Sequence, residues 1–327
     1  MVMMTLFPES RAVLSRLGRA LLAALCAMLL SPLPALAEPI LAAIVPAELP
    51  RYKEAHRALS QILETGGFGA GKLKVMVQSP NADKMSLINS LRRASSAGAA
   101  VIVVFGSRAA QVIPGEQLNA PVVFADVYDP VALGVVKSLT TTGAEVTGAS
   151  SKTDLGTLTG HMLKITGAKT IGVLYTKDEG AAEQQIAELK AVGGITVKTE
   201  NVRNPGEAVA AAEKLAGQCD ALYLAESIAV MQQGAAIVKA ALDQKRPVFS
   251  QIPDLVKAGA LLGLEADPDE QGKLVGVHAL QILQGQKAHS LPVRSAKKIT
   301  LLINQATAGQ LGLAIPPDVM AAGQAVK

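Results

Sequence analysis

Strand-like and helix-like segments alternate along almost the whole chain from residue 40 onward. Short apolar runs such as 99–105 and 170–175 are each followed by a segment with apolar residues at helical spacing, such as 179–192. Strands separated by helices pair in parallel, and a parallel sheet is covered by helices on both faces. The pattern occurs in two successive runs, and one hydrophobic core rarely grows beyond ~250–300 residues. We therefore predict an α/β protein with two doubly wound parallel-sheet lobes joined by a hinge.

The first 37 residues have the pattern of a secretory signal peptide. Three arginines precede an apolar run at 20–30, and Ala35-Leu36-Ala37 forms a small-residue cleavage site. The apolar run is well short of the ~20 residues that a membrane-spanning helix needs. Leu25 precedes Cys26, whereas a lipoprotein signal needs a small residue there. We expect cleavage after Ala37 and export to the periplasm.

Composition excludes several classes of function for the mature chain. The net charge of +4 includes the signal arginines, and no basic stripe indicates nucleic-acid binding. Only Cys219 follows the cleavage site, so no disulfide can form within the chain, and the four histidines lack metal-binding spacing. We expect no metal, no cofactor and a monomer. A glycine-rich segment at 66–72 resembles a phosphate loop, but Leu73 replaces the required Ser or Thr.

The segment 121–139 combines a buried strand with a polar turn and a predicted helix. The strand covers 121–125, and Pro130 begins a helix that Asp129 would cap. In α/β proteins such a turn lies at the carboxyl edge of the sheet, where ligands bind.

Several ordered motifs resemble the substrate-binding proteins of ABC transporters in the TrpX-like family. They are PVVFADVYDPVALGVVKSL at 121–139, VTGASS at 146–151, IGVLYTKDE at 171–179, PVF at 247–249 and LLINQATAGQLGLAIPP at 301–317. The resemblance implies a type I periplasmic binding protein fold, in which two lobes close on a small solute, with amino acids among the known ligands. It also implies that 268–283 returns to the first lobe. We expect an N-terminal lobe of 38–147 with about 266–292, and a C-terminal lobe of 148–265 with about 293–327.

Polar residues at the predicted strand ends are the candidate ligand groups of the first lobe. Ser107 would either cap the next helix or bind a carboxylate, and Arg108 would either grip an anion or lie in solvent. Asp126 would pair with a substrate ammonium or with backbone at the hinge, and Tyr128 would stack on a ligand.

The second lobe offers a similar set. One of Ser150 and Ser151 would cap a helix, and the other would be free to bind the ligand. Each of the other candidates in this lobe would either bind the ligand or serve as a helix cap or lie in solvent. These other candidates are Tyr175, Glu179, Glu226, Ser227 and Gln251.

Three functions remain open at this point. The leading hypothesis is a periplasmic receptor that delivers a small solute, an amino acid or similar carboxylate, to an ABC permease by hinge closure. The alternatives are a sensor that presents the same closed lobes to a membrane kinase or chemoreceptor, and an exported α/β enzyme. The absence of Trp and the scarcity of Tyr and Phe disfavour a sugar ligand. The lack of a nucleophile or acid–base motif disfavours an enzyme.

Overall fold

The computed structural model describes residues 38–326, so the expected signal peptide lies outside the described residues. The strands in chain order are β1 (Ile40–Ile44), β2 (Lys74–Gln78), β3 (Val101–Phe105), β4 (Val122–Val127), β5 (Val146–Ser150), β6 (Thr170–Tyr175), β7 (Thr196–Asn201), β8 (Ala221–Leu224), β9 (Val248–Ser250), β10 (Leu262–Ala266), β11 (Arg294–Ser295), β12 (Ile299–Asn304) and β13 (Gln324–Val326).

The α-helices alternate with these strands. They are α1 (Pro50–Thr65), α2 (Lys84–Ser96), α3 (Ser107–Ala110), α4 (Leu155–Thr166), α5 (Gly180–Ala191), α6 (Ala208–Ala216), α7 (Ile228–Gln232), α8 (Gly234–Asp243), α9 (Pro268–Leu283), α10 (Gln305–Leu311) and α11 (Pro317–Ala322). Short 3-10 turns occur at Ile113–Gly115, Pro205–Glu207 and Ala288–Ser290.

Within residues 38–326 the strands form two sheets, each the centre of one lobe. The first has the order β11-β5-β4-β3-β1-β2 and is parallel throughout. The second has the order β13-β12-β10-β9-β8-β6-β7, in which β12 runs antiparallel to β10 and the other pairs are parallel. The two sheets agree with the type I periplasmic binding protein fold that the resemblance implies, except that we had not expected β12 to run antiparallel.

The first sheet contains residues that we had expected in the C-terminal lobe. Strand β5 continues to Ser150, and β11 pairs with it through Arg294 and Ser295, which we had expected in the C-terminal lobe. Small residues fill β5 (VTGAS), and a Cβ atom at Gly148 would meet the carbonyl oxygen of Phe124 at 2.2 Å. This strand is therefore built for close packing inside the first sheet.

Helix α9 returns from the second lobe and packs against α1 of the first lobe. Its glycines allow the helices to approach closely, since a Cβ atom at Gly272 would meet the carbonyl oxygen of Ala55 at 2.1 Å. A Cβ at Gly276 would lie 2.8 Å from the Cβ of Ile62. The contact fixes the register of α9 on α1.

Some expected helices are absent or broken. Residues 130–134 form turns instead of the helix predicted for 130–139, with Gly134 in a left-handed conformation at φ 70°. The spacing of apolar residues at 227–242 indicates one helix, but the structure divides this segment at Gln233 into α7 and α8. Residues 253–259 form turns, with Asp254 in a left-handed conformation at φ 72°.

A candidate ligand-binding site between the lobes

Arg51 and Asp126 form a buried ion pair at the carboxyl edge of the first sheet. Pro50 starts α1 soon after β1 ends, which places Arg51 in the first turn of the helix at that edge. The Arg51 guanidinium donates to the Asp126 carboxylate, and both side chains are almost fully buried. Burial opposes the charge of Arg51, but the carboxylates of Asp126 and Glu226 outweigh burial and raise the pKa of Arg51. Arg51 therefore keeps its charge inside the protein.

A bulge in β4 directs Asp126 toward this edge. The register between β4 and β5 shifts between Phe124 and Val127, and Asp126 has a left-handed backbone with φ 59°. A residue other than glycine in this region is strained, and bulges of this kind re-aim side chains next to functional sites. The Asp126 N–H donates to the side-chain oxygen of Gln271 at 3.2 Å.

Ser107 and Glu226 connect the two lobes directly. Ser107 Oγ donates to Glu226 Oε1 at 2.7 Å and accepts from the Tyr128 N–H at 2.9 Å. Ser107 therefore does not cap α3, whose N-cap is Gly106. Burial raises the pKa of the Glu226 carboxyl, Arg51 lowers it and Asp126 raises it again, with a net increase.

Tyr128 makes a second polar contact between the lobes. Its hydroxyl donates to Glu188 Oε2 on α5 at 2.5 Å. Lys152 lies 2.6 Å from Asp129 and 3.2 Å from Glu188, with its ammonium 5.8 Å from the Tyr128 ring centroid. Asp129 also accepts from the Ala132 N–H at 3.0 Å, so it caps the turn that replaces the expected helix.

The guanidinium of Arg108 donates to backbone carbonyl groups and does not face the buried Arg51–Asp126 pair. Its Nε donates to the Ala82 carbonyl at 2.9 Å, and its Nη1 donates across the cleft to the Asp178 carbonyl at 2.7 Å. Glu179 accepts from the Ile228 N–H at 3.0 Å. Burial raises the pKa of Glu179 to about 7, although that N–H and the charge of Arg108 lower it.

Ser150 and Ser151 are buried near the hinge, and neither caps a helix. Asp154 caps α4 by accepting from Thr157. Ser150 Oγ donates to the Tyr128 carbonyl at 3.0 Å. Ser151 Oγ is buried and has no hydrogen-bond partner among the described residues.

The remaining candidates of the second lobe lie in different surroundings. Ser227 is fully buried and accepts from the Thr176 N–H at 2.9 Å. Gln251 belongs to a buried amide network, in which its oxygen accepts from Tyr223 and Gln185 at 3.0 and 3.2 Å. Tyr175 is half-buried and packs against the apolar core of the second lobe.

Five residues near this site were missed in the sequence. The rule that strand ends carry ligand groups, applied to β1 as well, would have found Arg51. The others are polar residues on buried helix faces or in a crossover, where one sequence alone gives no signal: Lys152, Gln185, Glu188 and Gln271.

A cavity of about 200 Å³ lies beside Arg51 at the junction of the lobes. Its walls are mostly apolar and come from the loop before α1, from α7 and from the segment after β9, which contribute Leu49, Met231, Ile252 and Leu255. Arg51 Nη1 lies 3.8 Å from the Met231 sulfur. Drug-sized ligands occupy about 300–1,000 Å³, so this space suits a small ligand or one part of it.

Comparison with known proteins identifies the family. The family model for ABC transporter substrate binding proteins matches residues 41–327. The chain belongs to this family. Members of this family bind solutes. The described part of this chain contains no cluster of side chains able to hold a metal ion. No helix within residues 38–326 has the length and apolarity needed to cross a bilayer.

Three relatives show how similar the chain is to characterised proteins. It is 24% identical to a tyrosine-binding protein of Clostridioides difficile over 265 aligned residues. The aligned region covers 80% of this chain and 77% of the relative. An ABC domain from Streptococcus pneumoniae in complex with L-Trp has a TM-score of 0.83 at 23% identity, covering 89% of this chain and all of that one. A ligand-free, open substrate-binding protein from Clostridium difficile has a TM-score of 0.65 at 24% identity, covering 89% and 99%.

Proposed function

We propose that this protein is the periplasmic receptor of an ABC importer and that it captures an α-amino acid between its lobes. The observation that carries the proposal is the cluster of Arg51, Asp126 and Glu226, three ionisable side chains buried where the lobes meet. Buried charges are stable only when they are paired or hydrogen-bonded.

The cluster offers one cation and two acids, which fits a zwitterion. The carboxylate of an amino-acid ligand would bind the guanidinium of Arg51 in a bidentate contact. The ammonium of the same ligand would bind the carboxylate of Asp126. Arg51 Nε and Asp126 Oδ2 are buried and have no partner among the described residues, so each has capacity for one more hydrogen bond. A dicarboxylate would meet Asp126 and Glu226 as like charges, and a sugar would offer no charged group to the unpartnered Arg51 Nε and Asp126 Oδ2.

The cavity beside Arg51 provides a place for the amino-acid side chain. Its walls are mostly apolar and come from both lobes, so a ligand there would hold the lobes together. The Ser107–Glu226 and Tyr128–Glu188 contacts already join the lobes directly. These contacts support a closed arrangement, which agrees with the higher TM-score to the L-Trp complex than to the ligand-free, open relative.

Family membership and the predicted export signal support a role in transport. We propose that the chain is cleaved after Ala37, works in the periplasm as a monomer and presents its closed lobes to an ABC permease. Among the candidate residues we assign ligand contacts to Asp126, Glu226, Ser107 and Ser151, together with Arg51. We assign lobe closure to Tyr128, Arg108 and Glu179.

A thermal-shift screen of residues 38–327 tests this function. The panel contains the L-amino acids, small dicarboxylates and pentoses or hexoses, and L-Tyr and L-Trp come first because relatives bind them. A ligand at 100 times its dissociation constant should raise the free energy of unfolding by about 2.7 kcal/mol. Stabilisation by sugars or dicarboxylates, with no amino acid active, would disprove the proposal.

A further inference from the structure

The backbone of Asp126 depends on a side chain from another element. In regular β-structure its N–H would pair with a neighbouring strand, but the bulge turns it away from the sheet. The N–H donates instead to Gln271 Oε1 at 3.2 Å. Gln271 is fully buried in the first turn of α9.

The other end of the same amide is also bound. Gln271 Nε2 donates to the carbonyl of Ser150 at 3.1 Å, at the end of β5 and the start of the crossover into the second lobe. The amide therefore fills the gap that the bulge opens between β4 and β5. Among side chains of this length, only glutamine and a protonated glutamate are neutral and carry both a hydrogen-bond donor and an acceptor at their end.

Helix packing aligns Gln271 with Arg51. Gly272 lies against the carbonyl oxygen of Ala55, one helical turn after Arg51, so the tightest α1–α9 contact lies next to both side chains. One helix thus holds the Asp126 carboxylate and the other holds its backbone N–H.

We propose that Gln271 is a positioning residue that sets the conformation of Asp126 and so creates the preference for a ligand with an ammonium group. This inference rests on the proposed function, because Asp126 is the assigned partner of the ammonium. Without the Gln271 oxygen, the Asp126 N–H loses its buried partner, the left-handed conformation loses its support, and the carboxylate turns away from the ligand. Gln185 makes a similar contact in the second lobe, where its oxygen accepts from the Glu226 N–H at 2.8 Å.

The test compares an L-amino acid with its des-amino analogue by titration calorimetry. The pairs are L-tyrosine with 3-(4-hydroxyphenyl)propionic acid and L-tryptophan with indole-3-propionic acid. Gln271→Met should weaken binding of the amino acid by at least roughly tenfold, the loss expected for one hydrogen bond to a charged group. Binding of the des-amino acid should change by less than about twofold, since it lacks the group that Asp126 binds.

Matched variants separate positioning from general damage. Gln281→Met makes the same change on the same helix and should leave both affinities as they are. Gln271→Glu replaces the amide with a carboxyl that burial beside Asp126 keeps protonated, which restores one donor and one acceptor. It should retain the ammonium preference even if Gln271→Met does not fold. In an Asp126→Asn background, Gln271→Met should have no further effect on the preference.

The outcomes distinguish the inference from the proposed function. If the unmodified protein binds the amino acid no better than the des-amino acid, the proposed function fails and the role of Gln271 fails with it. If the unmodified protein prefers the amino acid and Gln271→Met keeps that preference, or if Gln271→Glu loses it, only the role of Gln271 is overturned.

Discussion

Arg51 and Asp126 form an ion pair whose side chains are 5% and 3% exposed, between the first turn of α1 and the bulge of β4. The pair joins two segments 75 residues apart in sequence. It also lies at the junction of the lobes, since Arg51 contacts Met231 of the second lobe.

Removing one member of this pair should be strongly destabilising. Arg51→Met leaves the Asp126 carboxylate buried without its counterion, and it should lower the free energy of unfolding by about 3–5 kcal/mol. Urea denaturation of the ligand-free protein at pH 7 measures the change. The double variant Arg51→Met/Asp126→Asn should recover much of the loss, because no buried charge remains unpaired. Lys239→Met removes an exposed pair and should change stability by at most about 1 kcal/mol. A loss below about 1 kcal/mol for Arg51→Met would contradict the buried-pair assignment.

Tyr128→Phe should shift the lobes toward an open arrangement. The change removes one charge-assisted hydrogen bond between the lobes, which has a net worth of about 1.5–3 kcal/mol. The apparent affinity for ligand should fall by the same factor as the population of the closed state. Small-angle scattering of the ligand-free protein should show a larger radius of gyration. Tyr175→Phe is the control, since its hydroxyl has no hydrogen bond among the described residues. Equal radii for the two variants would contradict a latch role for Tyr128.

The Glu179 carboxyl should make the folded state less stable as pH rises between about 4.5 and 7. Burial raises the pKa of Glu179 to about 7 from an ordinary 4.5, so the folded state holds this proton more tightly than the unfolded state. Its contribution is fully present below pH 4.5 and is lost as pH rises through 7. Arg108 and Glu226 face Glu179 and act in opposite directions, lowering and raising its pKa. Each such group contributes a slope of at most about 1.4 kcal/mol per pH unit.

Glu179→Gln isolates that slope in urea denaturation at several pH values. As pH rises from 4.5 to 7, the variant should lose less stability, or gain more, than the unmodified protein. The slope that remains combines two opposite contributions, because burial raises the pKa of Glu265 to about 7 and lowers the pKa of His278 to about 4. Asp243→Asn, on an exposed position, should leave the slope unchanged. An identical slope in Glu179→Gln would show that this carboxyl titrates normally.

Gly272→Ala tests the contact that aligns Gln271 with Arg51. A methyl group there meets the backbone of α1, so we expect a loss of about 1–3 kcal/mol in spite of the better helix propensity of Ala. Gly160→Ala in α4 meets nothing within 4 Å and should stabilise the protein by about 0.5–1 kcal/mol. Thermal unfolding of the two variants measures both changes. Stabilisation by Gly272→Ala would contradict the close packing of α9 on α1.

The fold was predictable because strand and helix periodicity differ and recur many times along this chain. The failures are local and have physical causes. Residues 130–134 satisfy their polar groups with turns and with Asp129, so helical spacing at 131, 135 and 139 was misleading. The antiparallel direction of β12 depends on tertiary pairing with β10, which periodicity does not encode.

The site was only partly predictable. The strand-end rule found Ser107, Asp126 and Glu226, which the structure brings together. It assigned Arg108 to an anion, whereas the structure directs two of its donors to backbone carbonyls. The partner of Asp126 comes from α1 and its backbone support from α9, and such contacts between distant segments are not visible in one sequence.

The central claim is that Arg51 and Asp126 recognise the two charges of an amino acid. Titration calorimetry at pH 7 tests it most directly, with the amino acid that stabilises the protein most and its des-amino and decarboxy analogues. Each analogue should bind at least roughly tenfold more weakly than the amino acid. In Arg51→Met, the decarboxy analogue should bind as tightly as the amino acid. In Asp126→Asn, the des-amino analogue should bind as tightly as the amino acid. Equal affinity of the unmodified protein for all three compounds would contradict the claim.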